Sequence, residues 1–263
     1  MGRSAGDCGS FLLLRIKKDR YGMANIRLDK YLADAGFGSR KDVKGLLKTG
    51  QITVNDVVCK RAEDKINLEC DAVCVQGKPV IYESYSYYML HKPQGVVSAT
   101  TDKKEKTVID LITGHKRRDL FPVGRLDKDT EGLLILTNDG KLANDLLAPG
   151  KHVKKTYYAR IRGLVTKQEI SAFAEGVDIG DEMLTAPAEL VVKRAGAESE
   201  IEITITEGRY HQIKRMFESV GMQVVYLKRL QMGTLRLDES LACGQYRKLT
   251  KQEVFALKNR QIS

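Results

Sequence analysis

Apolar positions fall at helical spacing from residue 26 onward. Leu28, Tyr31, Leu32 and Ala35 follow i, i+3, i+4, i+7, and glycines at 36 and 38 predict the end of that helix. Ser39 predicts the N-cap of a second helix, with Val43, Leu46 and Leu47 as its buried stripe and Gly50 as its stop. Apolar residues 52–54 and 57–59, on either side of Asn55 and Asp56, predict a short hairpin. Gly77, Lys78 and Pro79, ahead of a stretch rich in Tyr and Ser up to residue 86, predict a transition. Beyond it, strand-like runs at 88–90, 133–136, 157–161, 190–192 and 201–205 are interleaved with short helices. They do not alternate with long crossover helices, so the pattern predicts an α+β fold built on a mainly antiparallel mixed sheet flanked by helices.

The chain has 263 residues, enough for two domains or one large one, and the boundaries expected are 1–24, 25–85 and 86–263. Lys and Arg number 44 against 34 Asp and Glu, a net charge of +10 that favours a polyanionic partner. The cations cluster. Arg40, Lys44 and Lys48 recur every four residues on one helix face with Lys41 beside them, and further runs lie at 103–106, 115–118 and 151–155.

Five cysteines, an odd number without a CxxC pair, argue against a disulfide framework. Cys70 and Cys74, with His91 further on, fit no zinc-knuckle spacing, so no metal site is expected. The apolar run 11–14 is too short for a secretory core and carries its charge on the wrong side. No run approaches membrane-spanning length, and the expectation is a disordered extension over residues 1–24 of a cytoplasmic, monomeric protein without a membrane partner.

The densest chemical signal is GRLDKDTEGLLILTNDG, residues 124–140, in which a glycine-bounded loop displays Arg125, Asp127, Asp129 and Thr130 ahead of a buried strand. The two aspartates and Thr130 would suit a phosphatase of the haloacid-dehalogenase type only if the hydrophobic strand preceded the aspartates, and here it comes after them. An EF-hand would need a glutamate at the twelfth position from Asp127, where Asn138 stands.

Residues 26 to about 75, beginning IRLDKYLADAGFGSRKDVKGLLKTGQITVNDVV, resemble the ribosomal-protein-S4-like (alpha-L) RNA-binding module. By position, that resemblance implies RNA contacts at Arg27, Ser39, Arg40, Lys41 and Lys44. GRLDxxTxGLLxLTxDG resembles the central motif of the RsuA and RluA families of pseudouridine synthases. Three companion motifs occur in order, HKPQGVVS at 91–98, KTYYA at 155–159 and EGRYHQIKRMFESVG at 207–221, so the resemblance spans about residues 87–250.

The resemblance implies Asp127 as the catalytic carboxylate, Lys214 as its counter-ion and Tyr157 as the aromatic face for an extruded uridine. Tyr158 is then expected on the opposite face, in the core. Arg125, Arg215, Lys92, Lys155 and His211 are expected to bind substrate, with Lys92 and Pro93 shaping the loop beside the site. Isomerising uridine to pseudouridine involves no net redox change and no energy input, so no cofactor is expected. HQIKRM at 211–216 and TAPAEL at 185–190 resemble the RsuA branch, implying uridine 516 of 16S ribosomal RNA, free or in an assembling small subunit. The rival expectations are a 23S uridine and a non-catalytic RNA-binding assembly factor.

Overall fold

A computed structural model describes residues 25–113 and 119–259. The expected extension at 1–24 and the basic run at 115–118 lie outside the described residues. The described chain forms two compact units, divided between Tyr82 and Glu83.

In the first unit, β1 (Asn25–Arg27) leads into α1 (Leu28–Asp34), which buries Leu28, Tyr31 and Leu32. α2 (Arg40–Lys48) starts at a capping box, in which the Ser39 hydroxyl accepts from Asp42 N and the Asp42 carboxylate accepts from Ser39 N. Its buried residues are Val43 and Leu47. The predicted hairpin is β2 (Ile52–Val54) against β3 (Val57–Val58), with Asn55 and Asp56 both at positive φ in the turn. β4 (Lys65–Asn67) pairs with β1, while β5 (Val73–Val75) and β6 (Lys78–Pro79) extend the hairpin sheet. Leu28, Leu32, Leu47 and Ile52 are essentially sealed from solvent, each contributing ~1.5–3 kcal/mol by burial.

The second unit is built on β7 (Tyr87–Lys92), β8 (Phe121–Pro122), β9 (Glu131–Thr137), β10 (Lys155–Arg162), β11 (Glu189–Arg194), β12 (Glu198–Ile205), β13 (Gln223–Met232), β14 (Leu235–Arg236) and β15 (Tyr246–Lys248). The sheet order is β11-β12-β10-β13-β9-β7-β15, with β14 beside β13 and β8 beside β9. Its described pairings are antiparallel except at β13 and β9, which run parallel. Helices α3 (Gly140–Leu147), α4 (Lys167–Glu175), α5 (Gln212–Ser219) and α6 (Lys251–Lys258) complete it.

All five predicted strand segments of this unit lie inside observed strands. β13, a ten-residue strand in the middle of the sheet, was not among them. Lys228 and Arg229 interrupt its apolar alternation, yet Arg229 is buried and its Nε donates to Leu133 O at 2.7 Å.

The parallel junction of β13 and β9 depends on Gly132, which lies opposite Arg229 at φ +105°. A Cβ there would overlap the Arg229 backbone carbonyl, and the conformation disfavours any L side chain. Gly132→Ala is therefore expected to lower unfolding free energy by ~2 kcal/mol or more, measured by urea denaturation. An unchanged midpoint would contradict this close approach.

Candidate active site

The segment 125–130 lies between β8 and β9, and its backbone is held from beneath by the 91–98 segment. Lys92, 0 % exposed, directs its ammonium at carbonyl oxygens: Asp127 O and Thr130 O at 2.9 Å and Pro93 O at 3.1 Å. Ser98 Oγ donates to Leu126 O at 2.8 Å and accepts from Leu126 N at 3.0 Å. Gly95 N donates to Lys128 O at 2.8 Å. These bonds place Leu126 in the core while Asp127 projects from it.

Opposite stands the start of α5. Its N-cap, His211, has φ +49° and finds no side-chain cap bond. Lys214, on the first turn, donates to both Asp129 oxygens at 2.7 and 2.8 Å and lies 3.4 Å from Asp127 Oδ2. His211 Nε2 lies 3.5 Å from Asp127 Oδ1. One ammonium thus serves two carboxylates, with its shorter bonds going to Asp129. Burial pulls the Lys214 pKa down, but the Asp129 hydrogen bond and the two carboxylate charges outweigh it and hold the group above its ordinary value. Burial likewise pushes Asp129 up, and Lys214 more than reverses that, keeping its carboxyl below the usual range.

A cavity of about 80 Å³ opens between these groups, lined by Asp127, Thr130, Tyr157, His211, Lys214 and Leu227 among others. Drug-sized sites span ~300–1,000 Å³. This one is smaller, on the scale of a single ring. Arg125 also lines it, from an exposed position. At its rim the Tyr210 ring stacks on the His211 ring, with centroids 3.9 Å apart.

Asp127, Tyr157, Lys214, Arg125 and His211 therefore meet at one cavity. Three other expected substrate contacts do not line it. Lys92 is sealed under the loop and acts on its backbone. Lys155 is buried, with Nζ donating to Val153 O at 3.1 Å. Arg215 is drawn away to Asp181 Oδ1 at 2.6 Å and to the carbonyls of Ile179 and Tyr210. The expectation for Tyr158 is also corrected. Lys155, Tyr157, Ala159 and Ile161 share the buried face of β10, so Tyr157 belongs to the core and the pocket alike, whereas half-buried Tyr158 packs edge-on against Tyr226.

Asp129 had no role in the expected site, although its place two residues from Asp127 in the same loop was the available signal. Thr130 was missed as well; its buried hydroxyl meets no hydrogen-bond partner among the described residues.

In the first unit, Arg40, Lys41 and Lys44 are exposed on α2. Ser39 caps that helix, and Arg27 is bound to the buried Asp29 carboxylate at 2.9 and 3.1 Å.

A family model described as RNA pseudouridylate synthase matches residues 86–219, and an S4 domain model matches residues 26–73. The chain belongs to the RNA pseudouridylate synthase family. An uncharacterized RNA pseudouridine synthase of Bacillus subtilis is 46% identical to this synthase over 90% of its chain and 100% of the relative. Ribosomal small subunit pseudouridine synthase A of Vibrio cholerae is 39% identical, covering 88% of the chain and 99% of the relative. Ribosomal large subunit pseudouridine synthase B of Bacillus subtilis is also 39% identical, covering 88% and 95%. A crystal structure of a pseudouridylate synthase superposes with a TM-score of 0.63 at 34% identity, covering 88% of this synthase and 99% of that chain.

Burial lowers the Lys92 pKa to about 8, against the opposing pull of the Asp129 and Asp127 charges. Below that pH both folded and unfolded chains hold the proton, and the cost of burying the charge is carried in full. Between about 8 and the ordinary value of 10.5 the unfolded chain binds more protons, so stability rises with pH in that window. Relative to Lys92→Met, wild type should gain at most ~1.4 kcal/mol per pH unit there, read from urea unfolding at several pH values. A difference that is flat or falls with pH would contradict a buried, charged Lys92.

Proposed function

We propose that this synthase isomerises one uridine of small-subunit ribosomal RNA, namely uridine 516 of the 16S molecule, with Asp127 as its catalytic carboxylate. The observation that carries the reading is the Asp127 carboxylate facing a ring-sized cavity between Tyr157 and the Lys214 ammonium. The reaction breaks the bond from ribose C1′ to uracil N1, turns the base, joins C5 to C1′ and moves the C5 proton away. A uridine within folded RNA has to leave its stack first, and an aromatic wall compensates part of the stacking lost.

Tyr157 supplies that wall, held by β12 on one side and β13 on the other. Asp127 meets the reacting nucleotide. The Lys214 ammonium offsets its charge within a partly dry site, and His211 Nε2 lies beside its other oxygen. Asp129 positions Lys214 by taking its two shortest bonds. Arg125, exposed at the mouth, is suited to the RNA backbone or to the gap left by the turned-out base. Arg40, Lys41 and Lys44 bind phosphates of the same RNA, adding affinity with little sequence choice.

HQIKRM at 211–216 and TAPAEL at 185–190 support a 16S target. A 23S uridine is the second reading, favoured by the equal 39% identity to a relative named for the large subunit.

Pseudouridine mapping of ribosomal RNA from cells lacking the protein should show the 16S position unmodified. Wild type should restore it and Asp127→Asn should not, although the variant still binds RNA. A signal lost from 23S instead moves the target to the second reading, and modification restored by Asp127→Asn removes Asp127 from the chemistry. Separately, replacing Arg40, Lys41 and Lys44 together with Ala should weaken RNA binding and reduce the slope of log affinity against log salt by ~2–3. An unchanged slope would take this helix face out of the interface.

A further inference from the structure

Away from the cavity, His91, Glu131 and Cys243 bring one imidazole nitrogen, one carboxylate oxygen and one sulfur within 4.8 Å of one another. We propose that these three side chains form a binding site for a zinc-type divalent transition-metal ion, with the fourth position left to solvent.

The tautomer of His91 is the first support. Its ring is buried, 7 % exposed, and Nδ1 lies 2.7 Å from Leu241 O. A carbonyl only accepts, so Nδ1 carries a proton, and the tautomer with Nδ1–H is the one that offers a lone pair at Nε2. Nε2 has no hydrogen-bond partner among the described residues. An imidazole anchored through one nitrogen to a backbone carbonyl, with the other left without a hydrogen-bond partner and a carboxylate and a thiol close to the ring, is the arrangement that metal-ligating histidines adopt.

The second support is how the other two ligands are held. The turn carrying Cys243 is fastened to His91 through both backbone groups, Gly244 N to His91 O at 2.8 Å and His91 N to Gln245 O at 3.0 Å. Glu131 opens β9, one residue from the Gly132 that pairs with Lys92. The Tyr226 hydroxyl donates to Glu131 Oε2 at 2.6 Å and orients the carboxylate.

One sulfur, one nitrogen and one oxygen donor suit zinc, which accepts all three in tetrahedral sites, better than magnesium or calcium, which take oxygen. Binding converts the Cys243 thiol to a thiolate, and its proton goes to solvent. A bound ion would tie β7, β9 and the 241–245 turn together.

The full chain, stripped with a chelator, would be titrated with Co²⁺ and then with Zn²⁺ in competition. The expected result is one equivalent of Co²⁺ per chain with a thiolate-to-cobalt charge-transfer band, displaced by Zn²⁺. Cys243→Ser should abolish the band and Cys70→Ser should leave it. Tyr226→Phe should weaken binding on the order of tenfold while the band persists. Absence of a stoichiometric band, or a band that survives Cys243→Ser, would overturn the proposal.

Discussion

A buried ammonium that meets no carboxylate among the described residues underlies this candidate active site. Removing a lysine charge from water costs several kcal/mol, on the order of the whole stability of a domain. Lys92 offsets that cost by donating to the carbonyl oxygens of Asp127, Thr130 and Pro93. Asp127 and Thr130 belong to the loop that lines the cavity and carries the proposed catalytic carboxylate. The charge thus fixes backbone geometry, and the same chain segment then emerges with Asp127 directed at the cavity. Ser98 and Gly95 add neutral bonds to the same loop, so it is fixed at Leu126, Asp127, Lys128 and Thr130 in succession.

Above that frame, the electrostatics rest on an odd count: two carboxylates share Lys214. The shortest contacts favour Asp129, which leaves Asp127 with longer ones to Lys214 and His211. A carboxylate saturated by tight ion pairs would be a poor partner for an incoming nucleotide. Asp129 keeps Lys214 in place near Asp127 without that ion pair closing fully over the Asp127 oxygens, which suits the catalytic role proposed for them. The proposed aromatic wall obeys the same logic, since Tyr157 is set by strand neighbours on both sides.

Much of this was legible in residue order because the relevant patterns are local. Caps, the 52–58 hairpin, the buried runs of β9, β10 and β12, and the motif around Asp127 need only neighbours within a few positions. β13 escaped because its signal is not local. Arg229 looks like a solvated cation until Leu133 O, almost a hundred residues earlier, is placed beside its guanidinium. Arg215 escaped for the same reason, since Asp181 and the Ile179 carbonyl, far back in the chain, claim it.

By itself the amino-acid order determined the positive charge of the whole and the α+β class through composition and spacing, and the two-part organisation and the loop on which the carboxylate sits through motifs that resemble known families. Tertiary structure alone decided which cation reaches which carboxylate, that Lys92 faces backbone rather than substrate, and that His91 meets Glu131 and Cys243. Those outcomes depend on distances of a few ångströms between segments far apart in the chain. Side-chain hydrogen bonds and ion pairs fall away over such distances, so nothing short of the folded arrangement chooses among the candidates that composition offers.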